Sequence, residues 1–93
     1  MDFHRSLEMS VSRDEFFRLL PGAVGSFVVN GDTIRLADGN RDWLIRLVPL
    51  VDHRVGSVVV PRHRVEIVLD ACSEAEGKAF LERFHRAFLR GGG

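Results

Sequence analysis

With 93 residues, 45% hydrophobic and 28% charged, the chain has the make-up of a single globular domain, which excludes disorder and a multi-domain layout. Thirteen basic and thirteen acidic residues cancel, which removes the general expectation of binding to nucleic acid or to an anionic membrane. One cysteine excludes an intrachain disulfide, and no apolar run approaches membrane-spanning length, so a soluble, cytoplasmic protein is the expectation.

The first predicted element is a half-buried strand from Phe3 to Val11. Phe3, Leu7, Met9 and Val11 alternate with His4, Ser6, Glu8 and Ser10, and Arg5 falls in the apolar phase. Ser12-Arg13-Asp14-Glu15 then reads as a capping box, with Val11 and Phe16 placed for a hydrophobic staple. A short helix with Phe16, Leu19 and Leu20 on its apolar side follows, and Pro21-Gly22 is expected to end it.

From Gly25 the pattern becomes β. Asn30-Gly31 between Phe27-Val28-Val29 and Thr33-Ile34-Arg35-Leu36 predicts a two-residue hairpin turn that pairs Phe27 with Ile34. Asp38-Gly39 predicts a second turn that sets Ile34 against Trp43 and Arg35 against Asp42. The third strand of this meander, Arg41 to Pro49, carries Trp43, Ile45 and Leu47 on its inner face and Leu44 and Val48 on its outer face. Asp52-His53-Arg54 is expected to turn. Val55 to Val60 is expected to be a strand with Gly56 as a bulge, and Pro61 to start a bend. The last strand, Arg62 to Asp70, turns Val65, Ile67 and Leu69 inward.

Ser73-Glu74-Ala75-Glu76 is a second capping box. It opens a helix on which Phe80, Phe84 and Phe88 recur every four residues and share one face. The expected fold is therefore a two-layer α+β domain over residues 1–90, with a disordered glycine tail at 91–93. An antiparallel sheet packs on a short N-terminal and a long C-terminal helix in the order β-α-β(4–5)-α. This order resembles the TATA-binding-protein-like and helix-grip folds, in which a curved antiparallel sheet wraps a long C-terminal helix. Ligand-binding helix-grip proteins carry extra strands and a second short helix, for which this chain has no room.

No catalytic constellation stands out, since no serine, cysteine or carboxylate sits in a nucleophile context. The four histidines and Cys72 are scattered, with no Cys-x-x-Cys and no histidine pair at helical spacing, so neither a metal nor a cofactor is expected. Cys72, just before the second cap, reads as a small buried thiol.

Three groups of residues are candidates for binding. Leu44, Val48 and Val68 make the outer sheet face more apolar than a solvated face needs, which points to a protein partner or a homodimer. Trp43, Phe84 and Phe88 could line a groove between the sheet and the second helix, with Arg5, His63 or His85 orienting the polar end of a small apolar or anionic ligand. Arg54, Arg62 and Arg64 form the one basic concentration and suit an anion or an acidic partner surface. The expectation is a non-enzymatic protein-interaction or dimerisation module, with the small-ligand binder as the alternative.

Overall fold

The computed structural model describes residues 2–37 and 42–91, the last two through their backbone alone. The order is β1 (Phe3–Met9), α1 (Arg13–Val24), β2 (Phe27–Asn30), β3 (Thr33–Leu36), β4 (Trp43–Pro49), β5 (His53–Val55), β6 (Val58–Val60), β7 (His63–Leu69) and α2 (Glu74–Gly91). Five strands form one antiparallel sheet in the order β1-β7-β4-β3-β2, and β5 and β6 form a separate two-stranded sheet. The domain is α+β, with a short first helix and a longer second one.

Both helices start where their caps put them. Ser12 Oγ accepts the Glu15 N–H at 3.2 Å, and Val11 and Phe16 are both buried around that turn. At α2 the box is reciprocal. Ser73 Oγ accepts the Glu76 N–H at 3.1 Å, and the Ser73 N–H donates to Glu76 Oε1 at 3.3 Å.

Pro21-Gly22 does not end α1, which continues to Val24 and stops at Gly25 with φ 75°. Proline costs a helix one N–H bond, but this last turn is held by tertiary packing. Ala23 is buried and Gly22 lies against Ala87 of α2. The Gly25 N–H closes the turn on the Pro21 carbonyl at 2.9 Å.

The core lies between one sheet face and the helices. Ile34, Leu36, Trp43, Ile45, Leu47, Val65, Ile67 and Leu69 face Phe16, Leu20, Ala23, Phe84 and Phe88. These are the inward positions the alternation assigns. The registers differ from expectation. Phe27 pairs with Leu36 rather than Ile34, because the turn is Gly31-Asp32 and Asn30 belongs to β2. Positive φ is confined to Gly31, the pattern of a type II′ turn. Ile34 pairs with Ile45 rather than Trp43, and Arg35 with Leu44 rather than Asp42. Both shifts are by two residues, so every side chain keeps its face. The Arg35–Asp42 ion pair still forms, diagonally, at 3.1 Å. The expected Asp38-Gly39 turn lies outside the described residues.

The segment after Pro49 also departs from expectation. His53–Val55 is a strand, not a turn, and Gly56 (φ 61°) and Ser57 make the turn to Val58–Val60. β4 pairs with β7 down to Pro49 opposite His63, and the Leu50 N–H reaches the Arg62 carbonyl at 3.0 Å. Pairing resumes with His53 opposite Val60. Val51 and Asp52 therefore stand opposite Pro61 alone, a β-bulge at a residue with no N–H to give the ladder. β4–β5 and β6–β7 are thus the two legs of one long ribbon whose far end, the arm, projects from the sheet. Thirteen residues from Trp43 to Val55 span about 40 Å at strand rise, against a longest dimension of 46 Å for the whole chain.

Candidate interaction surface

Because both helices cover one face of the sheet, the other face has no layer over it among the described residues. Its side chains follow from the registers. Leu44 and Val68 stand directly opposite each other, with His4 beyond Val68 on β1 and Arg35 beyond Leu44 on β3. The next row is Ser6, Glu66, Arg46 and Thr33, and the row after it is Glu8, Arg64 and Val48. Leu44, Val48 and Val68 are each half-buried by this polar surround. A depression of about 610 Å³ lies there, with His4, Ser6, Leu44, Arg46, Glu66 and Val68 in its lining. The expected dimer-face residues are therefore brought to one face, with Leu44 and Val68 in contact register and Val48 two rows away.

The basic cluster divides. Arg62 pairs with Glu8 at 3.3 Å, and Arg64 is exposed between Glu8 and Val48. Arg54 is out on the arm opposite Val59. The groove residues divide as well. Phe84 and Phe88 are buried with ring centroids 4.6 Å apart, and Phe16 lies 5.3 Å from Phe88. Trp43 packs edge-on against Phe80 at 5.7 Å and donates its Nε1–H to the Asp70 carbonyl at 3.0 Å. Arg5 is exposed, its guanidinium over the Phe3 ring at 4.4 Å and its Nη1 donating to the His4 carbonyl at 2.9 Å. His63 donates Nδ1–H to the Val11 carbonyl at 2.7 Å, which ties β7 to the chain entering α1. His85 is exposed beside the edge of Phe84. Trp43, Phe84 and Phe88 thus belong to one packed core, while Arg5, His63 and His85 sit at three separate places around it.

Two carboxylates meet at the opposite end of the sheet from the arm. Asp2 and Asp70 hydrogen-bond through their side chains. That bond, with the repulsion of the Asp2 charge, raises Asp70 above the usual carboxylate range. Asp2 is held below that range by the same bond and by the Ala71 N–H. Cys72 is buried, with Sγ 3.3 Å from the Ser73 carbonyl. Among the described residues no group of three histidines, cysteines or carboxylates converges for a metal, and no helix is long and apolar enough to cross a membrane.

Sequence reasoning missed the arm. Every residue from Val51 to Val59 is exposed, and Val51, Val55, Val58 and Val59 are among the most exposed large apolar side chains described. Two more, Val28 and Val29, lie on β2, the free edge of the sheet. The available signal was Val55-Gly56-Ser57-Val58, a glycine-led two-residue turn between valines, which is a hairpin signature. Comparison with protein-family models, curated protein sequences and solved structures found no match to this chain in any of the three.

Proposed function

We propose that this chain is a non-enzymatic protein-interaction module that self-associates. One observation carries the reading: of the seven large apolar side chains exposed among the described residues, six are valines on the arm and on β2, and the seventh is Leu89 of α2. A folded monomer rarely leaves such surface contiguous, and a two-stranded ribbon alone in water is marginal at best. A partner that covers the arm supplies what the fold itself does not. The alternative, a small ligand between sheet and C-terminal helix, stays second, because Trp43 packs on Phe80, Phe80 on Phe84 and Phe84 on Phe88 within one core.

The test is the native mass of the untagged chain across a dilution series. A dimer or higher multiple that dissociates on dilution is expected, and a monomer at every concentration overturns the proposal. Leu44→Asp then asks whether the outer sheet face takes part in the contact. A weaker assembly assigns the contact to that face, and an unchanged one assigns it elsewhere.

A further inference from the structure

The exposed valines fall into two sets, on the arm and on β2, whose geometry is complementary under a two-fold rotation. β5 continues β4 and pairs with β6 on one side only, so its free edge faces the flank where β3 and β2 lie beside β4. β2 is the outermost strand on that flank, and its far edge is unpaired. β2 runs parallel to β4 and β5, because β3 is antiparallel to both β2 and β4. A two-fold axis perpendicular to the sheet reverses the partner's β2 and makes it antiparallel to β5.

Spacing agrees with direction. The turn joining β2 to β3 lies at the same end of the sheet as the arm, since the Leu47 N–H bonds the Asp32 carbonyl at 2.9 Å. β2 stands two strand spacings from β4. An axis placed just past that turn, midway between β3 and β2, sets the free edge of β5 one strand spacing, about 4.8 Å, from the partner's β2. The same operation sets the partner's arm on this chain's β2. Three residues of β5 meet four of β2 in each contact.

We propose that two copies of this chain exchange arms in this way, each β5 adding as a strand to the other's β2 and extending the five-stranded sheet by the arm. The inference rests on the self-association proposed above and names its surface. The occupant is a second copy because each copy carries both halves, an arm without cover and an edge without a neighbour. The two sheet edges differ in the way this requires. β1 carries Arg5 and Glu8, charges that discourage strand addition, whereas β2 is Phe-Val-Val-Asn with no charge, proline or bulge. Val55 on β5 and Val28 and Val29 on β2 are exposed on the two strands that would meet, and both contacts count towards the about 800 Å² that a stable interface buries per partner. The axis leaves both outer faces on the same side, so the depressions at Leu44 and Val68 sit side by side in the dimer.

Complementation tests it with full-length chains. Val55→Glu/Val58→Glu spoils the arm and leaves β2 intact; Val28→Glu spoils β2 and leaves the arm intact. All three positions are exposed, so each variant folds, which circular dichroism verifies. Each variant alone should weaken the dimer about a hundredfold or more. Mixing the two should restore a heterodimer by native mass, because one arm–edge contact in it is wild type on both sides. Arm and β2 variants that leave the dimer intact, or a mixture that yields no heterodimer, overturn arm exchange. If those variants have no effect while Leu44→Asp dissociates the dimer, self-association stands and the outer face holds it. A monomeric wild type overturns both.

Discussion

Gly77 is a buried glycine inside α2, and the space a side chain would take there is occupied. A Cβ built there would overlap three carbons of the Phe3 ring. On propensity alone, Gly77→Ala in a helix interior should stabilise by about 1 kcal/mol. Overpacking costs about 1–3 kcal/mol if the Phe3 ring stays, and if the ring is instead driven out of its buried seat the lost burial is about 2–3 kcal/mol. The steric term wins, and Gly77→Ala should destabilise by about 1–2 kcal/mol, or about 4–15 °C in Tm for a domain of this size. The assay is urea unfolding followed by Trp43, the only tryptophan, which is 9% exposed and edge-on to Phe80 on the same helix. The decisive control is sign reversal. In a Phe3→Ala background the obstruction is gone, and Gly77→Ala should stabilise by up to about 1 kcal/mol. A stabilising Gly77→Ala in the wild-type background, or the same sign in both, refutes the reasoning.

Other expectations follow from the turn between β7 and α2. Ala71 holds φ 50°, the left-handed region that favours glycine, so Ala71→Gly should raise stability by about 0.5–1 kcal/mol in the same assay. In a carboxyl NMR titration Asp70 should lose its proton above the usual carboxylate range and Asp2 below it. Asp2→Asn removes the repelling charge and should bring Asp70 back down. A raised folded-state pKa favours the protonated form, so what Asp70 lends to stability is full at low pH and fades as pH rises through its folded value. Asp2, lowered, contributes above the usual carboxylate range and loses it as pH falls through its own folded value. Leu44→Asp should leave an arm-exchanged dimer intact by native mass, since Leu44 lies on the outer face, away from β5 and β2.

The fold was legible wherever periodicity meets a buried face. Alternation assigned Trp43, Ile45, Leu47, Val65, Ile67 and Leu69 inward, and the serine caps located both helix starts. Register was not legible, because alternation repeats every two residues and cannot see a slip of two. Asn30-Gly31 and Gly31-Asp32 are equally good turn text, and only the positive φ confined to Gly31 separates them. The arm escaped for a different reason. Val55 to Val60 reads as one strand with a bulge at Gly56, because composition records hydrophobicity and not the presence of a neighbour to bury against. The outer face was anticipated through Leu44 and Val68, whose contact register appears only once β4 and β7 are paired.

The pairing of β1 with β7 has a consequence for the order of events on the ribosome. Phe3–Met9 has no other strand to bond, and its partner, His63–Leu69, is made about sixty residues later. The β2–β3–β4 meander closes through short loops and can form while synthesis continues, but the first strand waits, unpaired, until nearly the whole chain has emerged. Phe3 waits longest, because its seat on Gly77 does not exist before α2. The last step of folding is thus a long-range closure that joins the two ends of the domain, and truncations anywhere after β6 should strand β1 along with the residues removed.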